Sequence, residues 1–225
     1  MVLFSNNDRS KEKKLFEAIE NENIEKVKSI LTNSNKKKVL KLNTKNKYGV
    51  YPLVEAIIHN KTIIVKLLVE YADKHQVILK LNYEHRNYPL LAAINNNNVE
   101  IVRLLIEYAS QHQIILELNN RDENWNYPLL KAISNNNVEI VKLLMEYANQ
   151  NQIILKLNEK NSYGLYPLLE AIGNINIKIV KLLTEYAIQH QIILFYNKYI
   201  VGNNSIIIKL LENYEKEIKV IKINK

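Results

Sequence analysis

Five histidines, His59, His75, His85, His112 and His190, are the residues best suited to metal binding or proton transfer, and three of them share one setting. His75, His112 and His190 each stand four residues after a tyrosine, Tyr71, Tyr108 and Tyr186. One ligand per helix, on helices that pack about 8–10 Å apart, is poorly placed to share a metal ion, so a role at helix ends is expected. Asn151 fills the same place in another copy and breaks any ladder of ligands. Glu70, Glu107, Glu146 and Glu185 also recur, each four residues after Lys or Arg. Acid–base catalysis by two carboxylates needs them in different surroundings, whereas this ladder supplies equivalent ones, so it reads as a solvated, ion-paired helix face.

Other chemistry is removed by what is missing from the sequence. Without cysteine there is no disulfide, thiolate metal site or thiol nucleophile, and a reducing, cytoplasmic setting is expected. The four glycines, Gly49, Gly164, Gly173 and Gly202, are too scattered for a phosphate-cradling loop, and neither H-E-x-x-H nor G-x-S-x-G occurs. No enzyme, cofactor or metal is therefore expected. The apolar start at Met1–Phe4 is too short for a signal-peptide core, and no run of apolar residues is long enough to span a membrane. The sequons at Asn60 and Asn203 are read as silent, since an Asn-rich chain produces them by chance.

The elements that position these residues repeat. The motif Tyr-Pro-Leu-hydrophobic-x-Ala-Ile begins at Tyr51, Tyr88, Tyr127 and Tyr166, at spacings of 37, 39 and 39 residues. Nine residues after each motif alanine (Ala56, Ala93, Ala132, Ala171) comes the valine of Ile-Val-Lys/Arg-Leu-Leu-x-Glu-Tyr-Ala, at Val65, Val102, Val141 and Val180. Proline suits the first position of a helix, where its missing N–H costs nothing, and Leu53, Ala56 and Ile57 follow on one face. Each unit is a helical hairpin, and Asn95–Asn98 and Asn135–Asn137 suit its tight turn because Asn tolerates left-handed backbone. Leu15–Ile19 with Val27, and Ile207–Leu211, are the atypical end copies that a stacked array needs. The expected organisation is a tail over 1–11, one array over 12–216 and a basic tail over 217–225. Segments such as Asn149–Ile154 make the period long, and the expectation is that they lengthen the second helix or add a short turn.

Asn46-Lys47-Tyr48-Gly49-Val50-Tyr51-Pro52-Leu53-Val54-Glu55-Ala56, and again Asn161 through Ala171, resemble the ankyrin repeat, whose pattern is Asn/Asp-x-x-Gly-x-Thr-Pro-Leu-His-x-Ala. Tyr stands for the family's Thr and Leu or Val for its His, so apolar stacking must take over from the usual hydrogen-bond network. HEAT-like repeats have a similar period and are the alternative architecture, but the short helices and the glycine finger favour ankyrin. The resemblance implies an all-α, ankyrin-type helical-hairpin solenoid with projecting finger loops. It also implies a monomeric, non-enzymatic scaffold that binds a protein through its fingers and concave face.

The finger of the third unit, Tyr83-Glu84-His85-Arg86-Asn87, is two residues short, and that of the fourth puts Trp125 where Gly49 and Gly164 stand. Expected contact residues are Tyr83, Glu84, His85, Arg86, Arg121, Asp122, Glu123 and Trp125, with Glu55, Lys131 and Glu170 on the adjoining helices. Trp125 and Tyr83 would be apolar anchors, Arg86 and Arg121 forked donors, and the acids selectors of charge. The competing role for Trp125 is local packing on Tyr127 or on a neighbouring finger.

The net charge of +8 raises nucleic-acid binding by a helical array as the alternative function. Residues 51–187 carry 13 basic and 14 acidic groups, so the excess lies at the ends, notably Lys36–Lys38 and Lys216–Lys225. A reader of phosphates would carry its charge along the array, which disfavours nucleic acid as partner.

Overall fold

The computed structural model describes residues 6–33, 39–82, 88–196, 201–202 and 204–223. Among them are eleven α-helices and no strand. Close contacts divide the chain into two units, 1–116 and 117–225.

The first unit holds three hairpins. They are α1 (Asn6–Glu20) with α2 (Ile24–Thr32), α3 (Pro52–Ile58) with α4 (Thr62–His75), and α5 (Pro89–Asn95) with α6 (Val99–Gln111). The first helices form one layer, α1 against α3 and α3 against α5, and the second helices form the other, α2 against α4 and α4 against α6. The second unit repeats the plan with α7 (Pro128–Ser134), α8 (Val138–Gln150), α9 (Pro167–Gly173) and α10 (Ile177–Gln189), and α11 (Ser205–Ile223) packs on α10. Helix therefore begins inside the segment expected as an N-terminal tail and continues through most of the one expected as a C-terminal tail.

Both motifs face inward. Ala56, Ala93, Ala132 and Ala171 are fully buried, as are Val65, Val102, Val141 and Val180. Alanine lets the two helices of a hairpin approach closely, and each buried valine or leucine adds about 1.5–3 kcal/mol. The carbonyl of each motif alanine accepts a hydrogen bond from the backbone of the turn, as Ala93 does from Asn98 at 3.1 Å and Ala171 from Asn176 at 3.1 Å. Asn98, Asn137 and Asn176 then cap the second helices, each side chain accepting from the amide three residues on. Asn97 and Asn136 take the expected left-handed backbone at φ 53° and 56°.

The segment that lengthens each repeat divides in three: it ends the second helix, as at Asn149–Gln150, makes a short turn, as at Asn151–Gln152, and then leaves both. α4, α6, α8 and α10 end in a left-handed glutamine, Gln76, Gln113, Gln152 and Gln191, each at φ 55–58°. After it the chain becomes an arm whose burial alternates: Leu79 and Leu81 are buried while Ile78 and Lys80 face out, and the pattern recurs at Leu155 and Leu157. Thus α8 runs to Gln150 and the chain turns at Asn151–Gln152, while Ile153 and Ile154 belong to the arm. Two side chains tie each arm to neighbouring repeats. The Tyr108 hydroxyl accepts from the Leu79 amide at 3.1 Å and donates to the Val77 carbonyl at 3.1 Å; Tyr186 does the same with Leu155 and Ile153, and Tyr214 with Leu194 and Ile192. Asn119 donates to the Ile154 carbonyl at 2.9 Å and accepts from the Lys156 amide at 3.2 Å, so its amide stands in for a strand. Asn43 does this for Ile78 and Lys80, and Asn158 for Ile193 and Phe195. The arm groups named here thus have partners without forming a sheet.

Candidate functional site

The three described fingers are one turn built three times. Asn46 Oδ1 accepts from the amides of Tyr48 and Val50, and Asn161 Oδ1 from those of Tyr163 and Leu165, all at 2.9–3.0 Å. Asp122 Oδ1 does the same for Asn124 and Asn126 at 2.8 Å. The left-handed position is held by Gly49 at φ 80°, Gly164 at φ 78° and Trp125 at φ 61°. The Trp125 finger keeps the backbone of the glycine fingers, and its tip residue adopts a conformation that costs a bulky side chain roughly 1–2 kcal/mol.

Trp125 is 56% exposed, and the Arg121 guanidinium lies 5.5 Å from its ring centroid, a cation–π contact. Arg121 also pairs with Glu159, which fixes the plane against which the indole rests. The fourth and fifth fingers are joined by the Ser162 amide donating to the Asn124 carbonyl at 3.0 Å and by Asn161 Nδ2 donating to Asn126 Oδ1 at 2.9 Å. Tyr163, 71% exposed on the next tip, therefore stands beside the Trp125 finger, and Tyr48 is 72% exposed on the corresponding tip of the first unit. Sequence reasoning passed over both tyrosines, although each immediately precedes a turn glycine.

Beneath the fingers the motif tyrosines are buried, Tyr127 completely, with its hydroxyl donating to the Glu159 carbonyl at 3.0 Å. Burial, with the nearby Glu159 charge, pushes the Tyr127 phenol far above the ordinary tyrosine range.

The other expected contact residues take varied places. Asp122 braces its own turn, and Glu123 is exposed beside it. Glu55 is buried, accepting from Asn46 Nδ2 at 3.1 Å and lying 3.1 Å from His59 Nε2, so it ties the first glycine finger to the end of α3. Lys131 and Glu170 occupy the equivalent place on α7 and α9 and are half-buried. Tyr83, Glu84, His85 and Arg86 lie outside the described residues. The repeated histidines sit at helix ends: the rings of His75, His112 and His190 lie 4.1–4.2 Å from those of Tyr71, Tyr108 and Tyr186. His112 Nε2 also reaches Asp73 Oδ1 at 2.7 Å, and His190 Nε2 reaches Asn149 Oδ1 at 2.7 Å. No group of three or more His, Asp or Glu with metal-binding geometry occurs among the described residues, and no described helix is long and apolar enough to cross a membrane.

A family model described as ankyrin repeats, three copies, matches residues 15–116 and again 111–193. Comparison with curated proteins yields no match. The matched stretches take in the helical hairpins, the braced fingers and the buried tyrosine and alanine positions described above. The chain belongs to the ankyrin-repeat family.

Proposed function

We propose that the protein is a non-enzymatic, intracellular scaffold that grips a protein partner with its fingers and the adjoining first helices. Ankyrin repeats generally mediate protein–protein interaction, and this chain's specific contribution is the finger pair of its second unit. The observation that carries the reading is Trp125: the turn around it is the one glycine makes elsewhere, yet an indole is held there in left-handed backbone and more than half exposed. Large aromatic and arginine side chains are the commonest sources of binding energy at interfaces, and here Arg121 holds the ring in place so that little ordering remains to be done on binding. Tyr163 extends the apolar tip, and Glu123 supplies charge that a partner must match. Lys131 and Glu170 complete the surface proposed on the second unit; Asp122 there, and Glu55 in the first unit, act by holding fingers in shape.

The test is quantitative capture from the native cell with the wild-type protein and with Trp125→Ala, followed by melting of both proteins. A partner retained by the wild type should be weakened by roughly 2 kcal/mol or more in the variant, with Tm almost unchanged. Unchanged capture together with a lowered Tm would assign Trp125 to packing instead.

A further inference from the structure

The second-helix layer of the first unit breaks the pattern at its first junction, between α2 and α4. In later repeats the helix-end histidine reaches an oxygen of the preceding repeat, His112 Nε2 to Asp73 Oδ1 and His190 Nε2 to Asn149 Oδ1, both at 2.7 Å. Those acceptors stand eight residues after the motif valines Val65 and Val141, still inside α4 and α8. α2 ends at Thr32, five residues after Val27, so the corresponding position 35 falls beyond that helix and outside the described residues. Among the described residues His75 makes its ring contact with Tyr71 and no hydrogen bond or ion pair. Its orientation nevertheless matches its counterparts. The His75 ring lies 4.2 Å from that of Tyr71 at 32°, as His112 and His190 lie 4.2 and 4.1 Å from their tyrosines at 39° and 34°. The junction is also in register, since the Tyr71 hydroxyl accepts from the Leu40 amide at 2.9 Å as Tyr108 does from Leu79. His75 Nε2 is thus turned to the side on which the other histidines find an oxygen.

A cleft of about 760 Å³ opens between α2 and α4, with His75 on its wall. That volume is in the range of small-molecule sites. Leu31, Val39 and Leu67 give it apolar walls, and Lys74 lines it next to His75. Lys28 and Glu70 also line it, Lys28 being held by Glu25 at 3.0 Å. Lys74, like His75, has no hydrogen-bond or ion-pair partner among the described residues. We propose that this cleft binds a small organic acid, its carboxylate standing to His75 as the Asp73 carboxylate stands to His112, and its apolar body lying on Leu31, Val39 and Leu67. The His75 ring N–H and the Lys74 ammonium donate to the two oxygens, and hydrogen bonds to an ionised acceptor are the stronger kind. Glu70 and Glu25 limit the charge the cleft accepts, which favours a monocarboxylate over a dianion. What Asp73 supplies from within the chain at the next junction, a ligand supplies at this one.

The test titrates hexanoate into the isotopically labelled full chain. The amide signals of Leu67–Gln76 and the ring signals of His75 should move in a saturable way, and hexylammonium should move none of them. His75→Asn is the informative variant, because the fourth repeat carries Asn151 at the same place with its Nδ2 donating back to the Tyr147 carbonyl at 2.9 Å. The fold accepts that residue, and its donor turns away from the cleft. His75→Asn should weaken hexanoate by about threefold or more, Lys74→Gln should do likewise, and His190→Asn should leave the affinity unchanged. Unmoved signals, equal binding of hexylammonium, or unaltered affinity in either His75→Asn or Lys74→Gln would overturn the proposal. So would acetate binding as tightly as hexanoate, which would leave the apolar walls without a part. A glutamate-containing peptide that binds more tightly than hexanoate would overturn it too, by making the cleft a protein-docking site.

Discussion

The fingers Asp122–Asn126 and Asn161–Leu165 stand side by side, share every backbone hydrogen bond of the turn and differ at its apex, tryptophan in one and glycine in the other. The difference separates what shapes a finger from what a finger presents. Shape comes from the acceptor oxygen of Asp122 or Asn161 and from the tyrosine that follows. The apex contributes surface, and its backbone cost is tolerated because the brace and the packed tyrosine hold the turn regardless.

The comparison breaks most severely at the tyrosine. Tyr127→Ala should destabilise the protein by about 3–5 kcal/mol in denaturant unfolding, and Tyr166→Ala by less, because Tyr127 is fully buried and bonded to the Glu159 carbonyl while Tyr166 keeps slight exposure. A loss below about 1 kcal/mol for Tyr127→Ala would show that the tyrosine does not set the finger. The same phenol makes a prediction in pH. Burial raises it in the folded state, so above the ordinary tyrosine value of about 10 the unfolded chain has lost a proton that the native one keeps. Stability should be unaffected by Tyr127 below that pH and should fall as pH rises through it, and Tyr127→Phe should flatten the fall.

The brace comes next. Asn161 is buried and makes two acceptor bonds and one donor bond, so Asn161→Ala should cost about 1–3 kcal/mol and shift the amide signals of both joined fingers. The smallest effect belongs to the apex. Trp125→Gly should leave stability unchanged or raise it by up to about 1 kcal/mol, the relieved strain being partly offset by the lost Arg121 contact, and Gly164→Trp should lower it by about 1–2 kcal/mol, since open space surrounds Gly164 and the penalty is backbone strain alone. A marked loss on Trp125→Gly would mean that the indole supports the finger.

Most of the fold was legible in the sequence because its determinants are local. Proline at a helix start, alanine and valine at fixed offsets, and asparagine at left-handed turns act within a few residues, and their recurrence gives the hairpins directly. The finger glycines, and Trp125 in place of one, were legible for the same reason. The repeated Tyr71, Tyr108 and Tyr186 and the Asn of Asn43, Asn82, Asn119 and Asn158 were equally visible, but their purpose was not. Their bonds run to arms about thirty to forty residues away in the chain, such as Tyr108 to Leu79 and Asn119 to Lys156. A longer helix or a short turn was the local expectation for those segments, and both occur before the chain leaves them; the arm that follows depends on neighbouring repeats, which supply hydroxyl and amide partners and buried seats for alternate leucines.

Glu55 shows the same division between sequence and tertiary structure. By type and position it is expected to contact a partner from the helix beside a finger. In the folded chain it is buried, accepting from Asn46 and lying beside His59, and burial is a property of the assembled repeats. The sequence alone determined the repeating hairpin and the composition of its tips, through forces that act along a few residues. Tertiary structure decided which polar side chains became internal ties and which remained outside, since the bonds of residues such as Tyr108 and Asn119 run to groups brought close only when one repeat stacks on the next.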